Sequence, residues 1–278
     1  MRRILFFAIL FLSLQSSAQD TLDVISWNVF LRPGILGDHQ NERVDSIAAY
    51  LNTSNADVLI LQETFHRKTR KKLLHSLDKQ YPYHSDIGKK SFWGISSGVL
   101  IFSKDSIEYD QATYFKKLKK ADRLAKKGVH AVIIRRDTTT IKILGTHFQA
   151  GGSNKCYRNR KNQIDRKAEL DSITPKTNIT LYAGDFNTER TESNYAYLLS
   201  KLNCVNTEVT GDIVNTANFI DHELTSADGP PCWIDFILLK KNHRVHALKS
   251  WIEEPRATYL EEYQRLSDHN VIRTVYHW

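Results

Sequence analysis

The chain has few of the residues that build cysteine-based sites. Its 278 residues include 3 cysteines, Cys156, Cys204 and Cys232, and no two of them stand in a C-x-x-C pair. Zinc-ribbon and thioredoxin-type sites are therefore excluded, because both need paired cysteines. Export would permit a disulfide, but an odd number of cysteines leaves at least one thiol free or paired outside the chain.

Proline and glycine are also scarce, with 6 and 12 residues, and no internal repeat or low-complexity stretch occurs. Nothing in the sequence has the composition of a flexible linker. We therefore predict a single catalytic domain over residues 20–278, a length that can bury the deep core of one large α/β domain.

Long apolar runs are absent beyond the N-terminus. Residues 4–14 are almost wholly apolar, follow two arginines and precede a run of small residues. This pattern is typical of a secretory signal peptide, and the run is too short to span a membrane. We predict a signal over residues 1–19, cleaved after Ala18 or Gln19, and a secreted or periplasmic protein. A buried N-terminal strand or helix is the alternative.

Positive charge exceeds negative charge, with a formal net charge of +8, or about +6 without the two signal arginines. The excess is concentrated in residues 66–72 and 116–127. Such clusters attract nucleic acid, anionic lipid or phosphorylated substrates without choosing among them. For each cluster, a solvated helix face is the equally weighted alternative.

The apolar patterns predict an α/β fold in which strands outnumber helices. Alternating or continuous apolar runs predict strands at residues 22–27, 57–61, 98–102, 129–134, 141–145, 179–183, 233–239 and 271–276. Helical spacing predicts helices at residues 43–51, 64–77 and 158–173. Because several strands follow one another directly, we expect two stacked sheets flanked by helices rather than a doubly wound parallel sheet.

Five short fragments place metal-binding or proton-transferring side chains just past these apolar runs. Their polar members are Asn28, Glu63, His147 with Gln149, Asp185 with Asn187, and Asp268 with His269. Side chains that follow core strands are held by a rigid scaffold, as active-site residues often are. The set therefore predicts a hydrolytic active site.

Oxygen ligands for a metal come from three of these fragments. Glu63 ends a strand at a sheet edge and can hold magnesium, which takes few protein oxygens, while Asn28 can add a carbonyl oxygen. Asp185 and Asn187 point to one face, two residues apart. As alternatives, Glu63 and Asn28 would each be a turn residue or a helix cap, and Asp185 with Asn187 would form an ordinary Asx turn.

Histidines supply the candidate proton-transfer groups. His147 and Gln149 are expected to share one face of an extended strand. His269 is the candidate general base, because histidine titrates near neutral pH, and it needs an anionic partner. Asp235 is a carboxylate in an otherwise apolar strand, which is costly unless it is paired. Pairing Asp235 with His269 would satisfy both, although the sequence alone does not show the contact.

Together, the five fragments and Asp235 resemble the endonuclease/exonuclease/phosphatase superfamily, which includes deoxyribonuclease I-like enzymes. The resemblance covers nearly all of residues 20–278. It implies a four-layer α/β/β/α sandwich of two packed mixed sheets. It also implies cleavage of phosphoester bonds with magnesium, for which manganese or cobalt can substitute.

The middle of the chain is more specifically similar to the bacterial neutral sphingomyelinases. Residues 146–150 read THFQA and are followed by Cys156, and the loop at 121–129 carries the Lys127-Gly128 pair that leads into a strand. This similarity implies hydrolysis of sphingomyelin to ceramide and phosphocholine. The implied partner is a phospholipid at a membrane surface, with nucleic acid as the less favoured substrate and no obligate protein partner.

Two segments depart from that branch. Residues 253–265 are charged where the branch has an aromatic-rich hairpin that enters the bilayer, and Asn270 replaces an aromatic or hydroxyl-bearing residue before proline. Phe92 and Trp93, beside two lysines, are the candidate replacement for the hairpin. Core packing of these two rings near a loop is nevertheless the favoured prediction.

The resemblance also implies a role for each candidate residue. The predicted metal ligands are Glu63, Asn28, Asp185, Asn187, Asp268 and His269. The predicted catalytic residues are His269 as the base, Asp235 as its partner, His147 as a donor to the phosphate or leaving oxygen, and Asp185 with Asn187 as positioning groups. The predicted substrate-binding residues are His147, Asn187 and Gln149.

Three other functions remain open at this point. A secreted nuclease would use the basic clusters and aromatic residues, and a phosphatase would act on phosphoinositides or another small phosphoester. A catalytically silent binding protein would hold only a cation or a phosphate. The presence of Glu63, Asp185, Asn187, Asp235 and His269 argues against the silent protein.

Overall fold

Strands alternate with a few long helices along the computed structural model, which describes residues 20–220, 222–225, 229–242, 244–261 and 263–278. The predicted signal at residues 1–19 lies outside the described residues. The strands are β1 (Thr21–Leu31), β2 (Val58–Thr64), β3 (Tyr83–His84), β4 (Leu100–Ser103), β5 (Ile107–Tyr114), β6 (Gly128–Arg136), β7 (Thr139–His147), β8 (Ile179–Asp185), β9 (Cys204–Asn206), β10 (Asp235–Lys240), β11 (His246–Glu253), β12 (Arg256–Leu260), β13 (Tyr263–Arg265) and β14 (Val271–His277). The helices are α1 (Gln40–Ser54), α2 (Arg67–Leu77), α3 (Asn154–Ile173) and α4 (Ser193–Lys201).

Two mixed six-stranded sheets form the centre of the fold. The first has the order β11-β14-β1-β2-β4-β3, and the second has the order β5-β6-β7-β8-β10-β9. Each sheet contains one parallel pair, β1 with β2 and β7 with β8, next to antiparallel neighbours. The prediction of two packed mixed sheets with helices in a single α/β domain is confirmed.

The two sheets pack face to face through a shared apolar layer. Val24, Val58 and Ile60 of the first sheet belong to one buried cluster with Ile143 and Leu181 of the second. Gly145 keeps the sheets close, because a Cβ there would lie 3.1 Å from Ile60 Cγ2 and 3.0 Å from Ile101 Cδ1. The close contact holds the ends of β1 and β2 against those of β7 and β8.

Helices cover the outer face of each sheet. Trp27 and Leu59 of the first sheet are buried with Ile47 of α1 and with Leu73 and Leu77 of α2. Ile164 of α3 and Leu198 of α4 join the cluster of the second sheet, which completes four layers. Among the described residues, no helix has the length and apolarity needed to cross a membrane.

Three details of the sequence prediction change. The helix predicted from residue 64 begins at Arg67, because Glu63 and Thr64 still belong to β2. Residues 116–127 do not form a solvated helix face, since only a short 3-10 turn occurs there, at Lys120–Leu124. The prediction that Phe92 and Trp93 pack in the core is wrong, because their exposed fractions are 95% and 65%.

Candidate active site

A bulge at the end of β1 places Asn28 in the site. The register between β1 and β2 shifts between Asn28 and Leu31, and Phe30 has a left-handed φ of 50°. Bulges of this kind turn side chains out of the regular alternation. The amide nitrogen of Asn28 donates to Asp185 Oδ2 at 3.1 Å, and its oxygen accepts from the backbone N–H of Phe30. Asn28 therefore joins the first sheet to the second.

Glu63 projects from the end of β2 in a conformation that non-glycine residues rarely adopt. Its φ is 58°, and such strain is characteristic of functional sites. The side chain is 15% exposed and its Oε1 lies 3.9 Å from His147 Nε2. Glu63 Oε2 is buried and has no hydrogen-bond partner among the described residues. A bound cation would satisfy this oxygen.

Asp185 ends β8 at the centre of the cluster. Its Oδ2 lies 3.2 Å from His147 Nε2 and 3.9 Å from His269 Nε2, and its Oδ1 accepts from the backbone N–H of Asn187. Asn187 also has a positive φ, 47°. The preceding Gly184 is required, because a Cβ there would lie 2.0 Å from the carbonyl oxygen of Thr146.

The predicted pair of Asp235 and His269 is present. Asp235 Oδ2 lies 2.8 Å from His269 Nδ1, and both residues are buried. Burial alone would lower the pKa of His269, but the adjacent Asp235 carboxylate outweighs it and raises this pKa well above 6.5. The bond to Nδ1 leaves His269 Nε2 directed toward Asp185.

Lys127 contacts the same ring nitrogen of His147 that faces Glu63 and Asp185. Its Nζ lies 2.9 Å from His147 Nε2, donates to the carbonyl of Phe148 at 3.1 Å and pairs with Asp122 Oδ1 at 2.7 Å. Burial, together with the charge of Lys127, lowers the pKa of His147 well below 6.5. His147 is therefore a neutral imidazole at neutral pH.

Gln149 does not share the face of His147, so that expectation is wrong. β7 ends at His147, and the Gln149 side chain turns toward residues 119–122. Its oxygen accepts from the backbone N–H of Lys119, and its nitrogen donates to Asp122 Oδ2 at 2.9 Å. Gln149 thus braces the segment that carries Lys127 and makes no contact with the metal or proton-transfer groups in the described residues.

Buried acidic side chains accumulate around Glu63 and Asp185. Burial raises the pKa of Asp185 to about 7, with a further contribution from Asp235. Burial likewise raises the pKa of Asp268 to about 7, and the charge of Glu63 adds to it. Carboxylates held this close favour a bound divalent cation, which compensates their mutual repulsion.

The oxygen donors of Glu63 and Asn28, with Asp185 and Asp268 nearby, suit a hard cation that prefers oxygen ligands. A second grouping exists, because ligand atoms of Asp185, Asp235 and His269 lie within 4.8 Å of one another. In that grouping, however, Asp235 and His269 are already hydrogen-bonded to each other. The oxygen donors around Glu63 could therefore hold a metal ion, and the bonded pair of Asp235 and His269 could transfer a proton.

Sequence reasoning missed Lys127 and Thr216 as site residues. Lys127 was noted only as half of the Lys127-Gly128 pair of the resemblance and not as a site residue, because a strongly basic stretch does not show which lysine is buried. Thr216 Oγ1 accepts from the backbone N–H groups of Ile234 and Asp235, and its carbonyl accepts from Asn270 N. Thr216 therefore fixes both halves of the Asp235–His269 pair, although no sequence signal separates it from other loop threonines.

Comparison with known proteins places this geometry among phosphoester hydrolases. The sequence profile described as the Endonuclease/Exonuclease/phosphatase family matches residues 25–269. Sphingomyelinase C from Leptospira interrogans is 31% identical over 248 residues, which are 80% of this chain and 44% of that protein. Sphingomyelinase C from Bacillus cereus is 29% identical over 270 residues, covering 86% of this chain and 80% of that protein.

Solved structures agree with the fold. The crystal structure of a variant beta toxin from Staphylococcus aureus with bound magnesium ions superposes with a TM-score of 0.78. It is 23% identical and covers 92% of this chain and 99% of the toxin chain. The chain spans only 40% to 44% of the length of the Leptospira relatives it matches.

Proposed function

Because the chain belongs to the Endonuclease/Exonuclease/phosphatase family, we propose that it is a magnesium-dependent phosphodiesterase that hydrolyses sphingomyelin to ceramide and phosphocholine. The contact that carries the proposal is the 2.8 Å bond between Asp235 and His269 beside the buried carboxylates. The choice of sphingomyelin is supported by relatives named sphingomyelinase C. Manganese or cobalt would substitute for magnesium at the same oxygen ligands.

The metal site fits magnesium through its donor set. Glu63 would hold the ion through the oxygen that has no partner among the described residues, with Asn28 beside it and with Asp185, Asn187 and Asp268 as the other oxygen ligands. His269, the sixth predicted ligand, has its Nδ1 bonded to Asp235, so in this proposal its Nε2 is kept for proton transfer and not for the metal. Bound there, magnesium supplies Lewis-acid chemistry at the phosphate and a fixed template for the substrate.

His269 acts as the general base in the proposed reaction. Against the effect of burial, the nearby carboxylates raise its pKa, and the positive charge of a cation held by those carboxylates would lower this pKa again, so that Nε2 is free to accept a proton. Its Nε2 takes a proton from a water molecule, whose oxygen forms a new bond to phosphorus as the bond from phosphorus to the ceramide oxygen breaks. Asp235 holds the Nδ1–H of the ring in place and stabilises the imidazolium that forms. Asp185 and Asn187 position the attacking water near His269 Nε2.

His147 serves the opposite end of the reacting bond. As a neutral imidazole it would offer an N–H to the phosphate or leaving oxygen, where negative charge grows in the transition state. Because Lys127 donates to Nε2, this N–H is the one on Nδ1, which has no partner among the described residues. Lys127 contacts the ring at Nε2, and Asp122 holds Lys127 in place. Asn187 completes the substrate contacts, and Gln149 supports them only through residues 119–122.

The phospholipid substrate belongs to a membrane surface, and the signal at residues 1–19 would deliver the protein to a periplasm or to the outside of the cell. This location and this delivery are supported by the apolar start of the chain and by the relatives named above.

A substrate panel tests the proposal. Purified protein is given sphingomyelin vesicles, phosphatidylinositol phosphate vesicles and plasmid DNA, each with magnesium and with excess chelator. We expect release of phosphocholine from sphingomyelin in magnesium only. Nicking of DNA with intact sphingomyelin would favour a nuclease, and release of inorganic phosphate alone would favour a phosphatase.

A further inference from the structure

Phe92 and Trp93 lie at the tip of a turn that holds both rings away from the core. Their exposed fractions are 95% and 65%, and the rings contact each other edge to face with centroids 5.5 Å apart. Exposing large aromatic rings to water is unfavourable, and turns usually carry small or polar residues instead. An exposed aromatic pair at such a position indicates a surface that is covered when a partner binds.

The turn is held in shape by its own hydrogen bonds. Ser91 N donates to Ile95 O at 2.8 Å and Gly94 N donates to Ser91 O at 3.0 Å. Ser91 Oγ donates to the carbonyl of Leu124 at 2.5 Å, which fastens the turn to residues 115–127. Leu124 is itself partly exposed. These hydrogen bonds therefore hold both rings at the protein surface.

The two segments that form this surface are basic. Residues 88–98 and 115–127 contain one acidic side chain, Asp122, and its carboxylate is bonded inward to Lys127 and Gln149. The exposed cations on the two segments are Lys89, Lys90, Lys116, Lys117, Lys120 and Arg123. The aromatic tip, Phe92 and Trp93, is thus surrounded by a surface whose unpaired charge is positive.

Both segments also reach the candidate active site. Lys126 N donates to Ser96 O at 3.1 Å, and the next residue, Lys127, contacts His147. The carbonyl of Gly98, where the first segment ends, accepts from Thr64 N beside Glu63. A partner seated on the aromatic tip would therefore lie next to the site.

We propose that residues 88–98 and 115–127 form a docking surface for a bilayer that contains anionic phospholipid. Phe92 and Trp93 enter the interfacial layer, where aromatic side chains are favoured, and the basic residues attract the headgroups. The edge-to-face contact at 86° between planes leaves most of both rings uncovered, so both can enter an apolar layer together. The inference rests on the proposed function in one respect, that the bilayer docked at this surface also contains the substrate.

The first experiment separates docking from catalysis. Wild type and the double variant Phe92→Ala/Trp93→Ala are sedimented with vesicles of phosphatidylcholine and phosphatidylserine, and their hydrolysis of soluble p-nitrophenyl phosphocholine is measured. The control is Ile173→Ala/Leu248→Ala, which removes two side chains that are 64% and 57% exposed elsewhere. We expect about tenfold or greater loss of vesicle binding in the tip variant only, with hydrolysis of the soluble ester retained.

The second experiment tests the charges. Lys89→Gln/Lys90→Gln should weaken binding to phosphatidylserine vesicles about fivefold per lysine and leave binding to pure phosphatidylcholine unchanged. Lys176→Gln, at an exposed lysine outside both segments, is the matched control. In a third arm, brominated phospholipid should quench the fluorescence of wild type and not of Trp93→Phe, which measures insertion without a disruptive change.

The outcomes distinguish the two proposals. Unchanged vesicle binding of the tip variant, or no quenching of Trp93, overturns the docking surface. If the tip variant loses binding to plasmid DNA and keeps binding to vesicles, the docking surface is also overturned, in favour of a nucleic-acid surface. Wild type that docks through the tip but hydrolyses neither sphingomyelin nor the soluble ester contradicts the proposed function alone.

Discussion

Asp235 orients the ring of His269 through a hydrogen bond between its Oδ2 and the ring Nδ1, which are 2.8 Å apart. Asp235 begins β10 in the second sheet, whereas His269 lies just before β14 in the first. The pair therefore forms across the sandwich and depends on how the two sheets pack. Trp27 Nε1 donates a hydrogen bond to the carbonyl of His269 at 2.9 Å, which ties the proposed base to β1 as well.

The first prediction concerns this pair. Asp235→Asn keeps the volume of the side chain but removes the charge that raises the pKa of His269. We expect kcat to fall about a hundredfold or more and the pH profile of the remaining activity to move to lower pH. Asp45→Asn, at an exposed carboxylate paired with Lys72, is the control. A kcat near that of wild type would contradict the assigned role.

The second prediction concerns Glu63 as a metal ligand. In Glu63→Gln the charge that would bind magnesium is lost, and changes at or near metal ligands weaken affinity at least about tenfold. Magnesium should therefore raise the unfolding temperature of wild type and not that of the variant, because only binding to the folded state stabilises it.

The same variant gives a second readout in excess chelator. Without metal, Glu63→Gln should unfold at the same or a higher temperature than wild type, because burial raises the pKa of Glu63 and Asp185 repels its charge. Glu108→Gln, at an exposed glutamate paired with Arg135, should respond to magnesium like wild type. Equal magnesium stabilisation of Glu63→Gln would place the ion elsewhere.

The third prediction separates a structural from a substrate-binding role for Gln149. Its buried amide bonds Lys119 and Asp122, so Gln149→Ala should lower the free energy of unfolding by about 1–3 kcal/mol. KM for the soluble ester should change little in the folded variant. Gln111→Ala, at an exposed glutamine, is the control, and a raised KM at unchanged stability would restore the substrate-binding interpretation.

The fourth prediction concerns acid stability. Burial lowers the pKa of His130 from 6.5 to about 4, and its Nε2 is hydrogen-bonded to Ser97 Oγ at 2.8 Å. The unfolded chain therefore binds this proton at higher pH than the folded protein does. The stabilisation is fully present above the unfolded pKa of 6.5 and is lost as the pH falls from there toward the folded pKa of about 4.

Urea unfolding at pH 7 and pH 5 measures this effect. Between pH 7 and pH 5, the reluctance of folded His130 to bind a proton should lower the free energy of unfolding of wild type by on the order of 2 kcal/mol. The free energy of unfolding of His130→Gln should fall by correspondingly less over the same interval. His75→Gln, at an exposed histidine, should behave like wild type. An identical pH dependence in all three proteins would contradict the assignment to His130.

The sequence was sufficient for the features that periodicity and strand ends determine. The runs at residues 58–61 and 179–183 became β2 and β8, and the polar residues just past them, Glu63 and Asp185, meet in one cluster. Alternation and burial decide such strands locally. The partner of Asp235 was also foreseeable, because a buried carboxylate requires one.

Features set by long-range contacts could not be predicted. Lys127 differs from its basic neighbours only because Asp122 and His147 surround it in the folded chain. Gln149 was misplaced because β7 ends at His147, which breaks the strand alternation two residues earlier. Phe92 was misplaced because the turn at Ser91 holds it outward, and sequence apolarity gives no sign of that geometry.

The measurement that tests the central claim most directly is phosphocholine release from sphingomyelin by wild type and His269→Ala, each in magnesium and in excess chelator. We predict release by wild type in magnesium, almost none in chelator, and a rate lower by about a hundredfold or more in His269→Ala. Equal wild-type rates with and without chelator, or a His269→Ala rate close to that of wild type, would contradict a metal-dependent site with His269 as its base.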